Sequence, residues 1–144
     1  MVKYVPEAAP RRRRESGTSV VEMAFVLPLV LLLLFAIGDF GIAYTRWNSL
    51  TNAVREGARV GVVFRSPCNP GDVETEIRTT VSNFAASSGL DGAAIATTIA
   101  NACAGTGSQL SVTARIPYDY VAMSALAGFA PSIDLTARSL MRNE

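Results

Sequence analysis

Hydrophobic positions fall along this chain in three rhythms, and each predicts a different kind of element. Between Val20 and Tyr44 the sequence VVEMAFVLPLVLLLLFAIGDFGIAY is apolar on every side, with Glu22 and Asp39 as its only formal charges. A stretch apolar all round reads as a membrane span. Coiled at 1.5 Å per residue it reaches roughly 37 Å, enough to cross a hydrocarbon core of about 30 Å with some tilt. Glu22 and Asp39 fall about 25 Å apart on such a helix. Each acid then sits near one edge of the hydrocarbon, where its cost falls well below the roughly 3 kcal/mol of the centre. Pro28 removes one helix hydrogen bond, which membrane helices tolerate better than soluble ones. The rival is a cleaved secretory signal peptide, whose apolar region runs about 7–15 residues before small residues at a cleavage site. Here the run is longer and the helical pattern continues past it, so an anchor is expected.

Beyond the span the rhythm becomes that of an amphipathic helix. Trp47, Leu50, Val54, Ala58 and Gly61 recur at steps of three and four, with Arg46, Asn48, Thr51, Asn52, Arg55, Glu56 and Arg59 between them. Such a stripe serves either a stalk packed on a head or a surface facing a partner. Tyr44 and Trp47 also suit an outer membrane interface. The helix is predicted to fade near Val63, before Arg65-Ser-Pro-Cys-Asn-Pro-Gly71, which reads as a loop.

A second helix follows, with Asp72 as N-cap, Glu74 and Glu76 in its first turn, Val73, Ile77, Val81 and Phe84 as its buried face, and Gly89 at its end. These acids are better explained as helix-start charge than as an acid/base or calcium site. Residues 91–104 stay open between strand, from the alternation of Ile95, Thr97 and Ile99, and helix, from their alanines. The third rhythm is strict alternation. Leu110, Val112, Ala114 and Ile116 alternate with Ser111, Thr113 and Arg115, and Ile133, Leu135 and Ala137 alternate with Asp134, Thr136 and Arg138. Two such strands joined by residues 117–132 predict a hairpin with a long apolar connection from Tyr118 to Phe129. The expected class is α+β: a long N-terminal transmembrane helix continuing into an amphipathic stalk, and a small head of one helix plus an antiparallel hairpin or sheet.

Composition narrows the chemistry. Of 144 residues, 49% are apolar and only 17% charged, against about 25% charged in an average soluble domain. With the span set aside, about 100 residues remain, enough for one small core. There is no histidine, and Lys3 is the only lysine. These absences exclude Ser-His and Cys-His nucleophile pairs, histidine-ligated metals and a Schiff-base lysine beyond the extreme N-terminus. Two cysteines cannot complete a thiolate metal site, and no phosphate-binding Gly-Lys-Ser/Thr occurs. No catalytic residue, metal or other cofactor is therefore expected, and no small-molecule substrate is evident. The acids form no recognisable pair of the kind glycosidases use.

Net charge is +1, but it is unevenly placed. Arg11, Arg12, Arg13 and Arg14 stand just before the apolar block, while the remainder of the chain is slightly acidic. A nucleic-acid binder would carry basic groups across its folded surface, so no nucleic-acid partner is expected. Arginines flanking a first hydrophobic segment instead hold that end in the cytoplasm. A twin-arginine export signal fits less well, because Glu15-Ser16-Gly17-Thr18 follows rather than an apolar start.

The junction Glu15-Ser16-Gly17-Thr18-Ser19-Val20-Val21-Glu22 resembles the processing site of type IV pilin-like proteins: a basic leader, a glycine, then an apolar helix with glutamate at its fifth position. The block Glu15 to Tyr44, the following TNAVREGAR (Thr51 to Arg59), and VTARIPYDY with DLTARSLMRNE near the C-terminus resemble the TadE-like minor pilins of the tight-adherence (Tad/Flp) pilus system. The resemblance covers Glu15 to Arg59 and about Leu110 to Glu144, and it omits the middle with both cysteines. It implies a single-pass pseudopilin of the bacterial inner membrane, non-enzymatic, cut by a prepilin peptidase between Gly17 and Thr18. Such a protein works with other pilins and the Tad assembly machinery to build an adhesive pilus, which it can itself enter. Cleavage would create a cationic α-amine at Thr18, with a reference pKa of about 8. The Glu22 carboxylate, four residues on, can face that amine or pair with the amine of a neighbouring subunit. The alternative function is an unprocessed signal-anchored protein whose exported head binds a ligand or partner.

The expected organisation is a basic cytoplasmic leader (1–17), a transmembrane and stalk helix (18–63) and an exported head (64–144). Everything beyond Tyr44 then lies where disulfides persist. Cys68 and Cys103, each in a turn-like context, are expected to pair, fixing the head on its stalk.

Overall fold

A computed structural model of the chain describes residues 16–63, 65–121 and 132–143. The arginine run 11–14 and most of the apolar connection, 122–131, lie outside the described residues. The elements are α1 (Ser16–Gly61), α2 (Pro70–Ser87), a single 3-10 turn (Gly92–Ala94), β1 (Ala96–Ala100), β2 (Gln109–Asp119) and β3 (Ser132–Arg142). The class is α+β, with one long N-terminal apolar helix, a second helix and a three-stranded antiparallel sheet in the order β1-β2-β3.

Span and stalk form one continuous helix of 46 residues, with Pro28 inside it. α2 starts three residues earlier than the sequence pattern suggested. Its N-cap is Asn69, whose side chain accepts a hydrogen bond from the Gly71 amide, and Asp72 lies in the first turn. Pro70 explains the shift: at the first helical position its fixed φ suits the helix and its missing N–H costs nothing. Val73, Ile77 and Val81 are buried as expected, but the fourth core position is Ala85 rather than Phe84, which stays exposed. The helix closes through Ser88, and Gly89 takes φ +80° just beyond it. The open segment 91–104 resolves into the turn at Gly92–Ala94 and the short edge strand β1, in which Asp91 caps the turn by accepting from the Ala93 amide.

The hairpin is longer than the alternation alone suggested. β2 and β3 pair from Gln109↔Arg142 to Asp119↔Ser132, so Tyr118 belongs to the strand and not to the connection. The inner face of the sheet carries Leu110, Val112, Ala114, Ile116 and Tyr118 of β2 with Leu135 and Ala137 of β3. Both helices cover this face. α1 is the central element of the core, contributing Ala43, Leu50, Ala53, Val54 and Ala58. α2 runs antiparallel to it, since Gly57 faces Val81 and Gly61 faces Ile77. A Cβ on Gly61 would stand 2.6 Å from Ile77 Cδ1 and 2.7 Å from Leu110 Cδ2. Glycine at this point lets helix, helix and strand meet.

Candidate functional site at the bare helix and the head junction

Among the described residues, none covers the first half of α1. A stretch within Gly17–Gly61 is long and apolar enough to cross a membrane, and none of that window is buried by the rest of the chain. A soluble core helix would bury such a surface, because each large apolar side chain gains about 1.5–3 kcal/mol on leaving water. Val20 to Ile37 is instead bare around the whole helix, with only Ala36 partly covered. Gly17, Thr18 and Glu22 stand exposed on its opening turns, Glu22 one turn beyond Thr18.

Cover begins abruptly at Asp39, which is 3% exposed although it interrupts the most apolar part of the sequence. The sheet supplies that cover. The Tyr118 hydroxyl donates to the Asp39 backbone carbonyl at 3.2 Å, and the Arg46 guanidinium lies 5.2 Å from the centre of the Tyr118 ring. Tyr120 meets the same ring edge-on at 5.3 Å. Burial raises the Tyr118 hydroxyl above its ordinary pKa; the nearby Asp39 charge adds to this and Arg46 opposes it. Two turns beyond Asp39, the Trp47 indole N–H donates to the Thr136 carbonyl at 3.1 Å, fixing the helix against β3. Trp47 also ends a ladder of rings on one side of α1, with centroids 6.5 Å apart from Phe40 to Tyr44 and 6.0 Å from Tyr44 to Trp47.

At the far end of the head, the structure brings Cys68 and Cys103 to disulfide distance, with Cα atoms 5.8 Å apart. The pair joins the α1–α2 loop to the β1–β2 loop. Arg65 reinforces this end by donating to Glu76 of α2 and, at 3.4 Å, to the Val60 carbonyl in the last turn of α1. The Arg65 hydrogen bond holds the Glu76 carboxyl below its ordinary range, but the pair is exposed and screened by solvent. The hollow beside the cysteines, lined by Gly61, Val62, Arg65 and Asn143 among others, holds about 100 Å³. Pockets for drug-sized ligands hold roughly 300–1,000 Å³; a second, open hollow of about 390 Å³ lies between α1 and the end of α2, lined by Gly38, Ile42, Arg46 and Leu90 among others. Among the described residues no cluster of three or more His, Cys, Asp or Glu is placed to hold a metal.

The structure therefore does not gather the sequence-derived positions into one pocket. Gly17, Thr18 and Glu22 stand at one end of α1, the cysteines at the other, and the junction lies between them. Sequence reasoning marked Asp39 and Trp47 on the helix but passed over their partners on the sheet side. Their signal was present, since Tyr118 and Tyr120 continue the alternation of Leu110 to Ile116. What this arrangement does is mechanical: it holds a folded head at a fixed height on a helix whose other half is free.

The family model of TadE-like proteins matches residues 17–59, that is, the bare helix, the helix side of the junction and most of the stalk. The match does not reach α2, the cysteines or the sheet. No curated protein and no solved structure matches the chain.

Proposed function

We propose that this chain, TadE-like over residues 17–59, is a minor pilin or pseudopilin that takes part in assembling a Tad-type adhesive pilus. One observation carries the reading. A single helix, described from Ser16 onward, is bare for its first half and is built into a head for its second. A bare apolar helix must find lipid or other apolar helices, because water is the one solvent it cannot face. A subunit that moves from a bilayer into a filament uses both in turn. The bulk of the head stays outside the hydrocarbon throughout, so a fixed junction at Asp39 serves either state.

In this reading residues 1–17 are the leader, held in the cytoplasm by Arg11 to Arg14, and the exported head lies beyond the inner membrane. A prepilin peptidase cuts between Gly17 and Thr18. Support comes from the exposure of this end of α1 and from a family match that starts at Gly17. Glu22 then lies one helical turn from the new α-amine and registers one subunit against the next. The partners are other pilins and the assembly machinery. No reaction is assigned to the protein, and its partners touch it through surfaces.

Replacing Gly17 with phenylalanine tests the reading. In cells carrying the peptidase, the variant should accumulate in the membrane at full precursor mass, and pili should be lost. Normal processing of that variant would remove the leader assignment. A wild-type chain that keeps residues 1–17 in those cells would instead favour the unprocessed anchor with a binding head.

A further inference from the structure

The end of the head nearest the bare helix is more apolar than a water-facing end should be. Along β3 the inner-face residues Leu135, Ala137 and Ser139 are buried, but Ile133, the last of the series, is 39% exposed. Val121, just past the end of β2, is 70% exposed. Phe40 on the neighbouring turn of α1 is 69% exposed. Phe40 follows the buried Asp39 in the chain, and Ile133 pairs across the strands with Tyr118, which bonds the Asp39 carbonyl.

Two hydrogen bonds fix their height on the helix. Trp47 is tied to Thr136 and Asp39 to Tyr118. Going from Thr136 down to Ile133 covers about 10 Å of strand, and going from Trp47 down to Phe40 covers about the same length of helix. Ile133 is therefore level with Phe40, and so is its cross-strand partner Tyr118. Tyr120, in ring contact with Tyr118, and Val121 follow directly on this end of β2. If the helix enters the bilayer at Thr18, a core of about 30 Å ends some 20 residues on, near Gly38. The strand ends thus arrive where hydrocarbon gives way to headgroups.

Resting on the proposed membrane anchor, we propose that this end of the head is a lipid contact. Tyr120, Val121 and Ile133, together with Phe40, seat the head in the outer boundary between headgroups and acyl chains. The occupant is the bilayer itself. Aromatic residues favour this layer because a ring can lie in the apolar side while its polar tip stays wet, and the Phe40–Tyr44–Trp47 ladder runs up through it. The contact is apolar and not electrostatic. The charges on the described residues of the strand ends are Asp119 and Asp134, which anionic lipids would repel. The seat also explains Asp39: the head covers that acid at the depth where lipid would otherwise surround it.

Depth-dependent quenching tests this on the full chain, in a Trp47→Phe background that leaves no other tryptophan; it gives up the bond to Thr136 and keeps the Tyr118–Asp39 bond and the shared core that hold the head on α1. Single tryptophans are placed by Ile133→Trp, by Leu32→Trp in the bare helix, and by Thr113→Trp on the outer face of the sheet. The probe is a phosphatidylcholine vesicle with bromine on carbons 6 and 7 of its acyl chains. The expected result is strong quenching at 32, at least twofold quenching at 133 and none at 113. It should hold without anionic lipid. Quenching at 32 with none at 133 would overturn the lipid seat and leave the anchor standing. Loss of quenching at 32 would overturn the anchor and the seat with it. A second variant, Ile133→Asp with Val121→Asp and a tryptophan at Phe40, should lower quenching at position 40 if the seat holds the head down. Unchanged quenching there would also overturn it.

Discussion

Glu22 is a carboxylate on an otherwise apolar turn, flanked by Val20, Val21 and Met23, all exposed. Among the described residues none pairs with it. Replacing it by alanine removes a charge from the membrane end, so insertion should be kept or improved. Under the pilin reading the same variant loses its registering partner. Co-purification with other pilins should therefore fall several-fold while the amount in the membrane stays constant, and unchanged co-purification would remove the pairing role. Tyr118 offers a test of the junction. Tyr118→Phe keeps the ring under Arg46 and deletes only the bond to the Asp39 carbonyl, which should cost about 1 kcal/mol. Its raised pKa sets the pH dependence. The folded state favours the neutral phenol, so the stability it contributes is intact below the ordinary value of about 10 and is lost as pH climbs past it. Denaturant unfolding of the two proteins should differ at pH 8, with the gap narrowing at pH 11. At this scale the apolar positions were readable from their spacing. The burial of Asp39 was not, since it depends on a strand 79 residues away.

Helix α1 is packed from two sides, and this explains what its pattern did and did not disclose. The stripe of Leu50, Val54 and Ala58 was visible because one face is enough to show a period. Ala53 and Gly57 lie beside that stripe and face α2, so the buried arc is wider than the spacing alone marks out. Small residues carry little hydrophobic signal, yet they set how closely the helices approach. Gly61→Leu should force Ile77 and Leu110 aside and cost about 1–3 kcal/mol. For a head of this size that is a fall in melting temperature of about 4–8 °C per kcal/mol. Gly38→Leu is the control: nothing lies within 4 Å of a Cβ there, and stability should not change. Thermal unfolding in detergent, followed by circular dichroism, reads both. The start of α2 was misplaced for a related reason: Asp72 is the more conspicuous acid, but Asn69-Pro70 is the better start signal.

Seen whole, the molecule is a lever fixed at three levels: the junction at Asp39, the shared core along the stalk, and the cysteine pair at the far end. The pair closes a loop with a sequence separation of 35, worth about 4 kcal/mol at most by chain entropy. Changing Cys68 and Cys103 together to serine should lower stability by up to that amount, and non-reducing alkylation of the exported wild-type head should label neither thiol. Free thiols in freshly extracted protein would contradict both the pairing and the exported placement it assumes. The overall plan was legible because the span, stalk and alternating strands each have their own period. Residues 91–104 were not, because alanine-rich alternation fits strand and helix equally until β2 offers an edge to pair with. The central claim, that this helix belongs to a processed pilin, meets its most direct test in the N-terminus of the membrane-extracted protein. Sequencing and intact mass from cells carrying the prepilin peptidase should give a chain beginning at Thr18 and lacking residues 1–17. A chain that still begins at Met1 would contradict it.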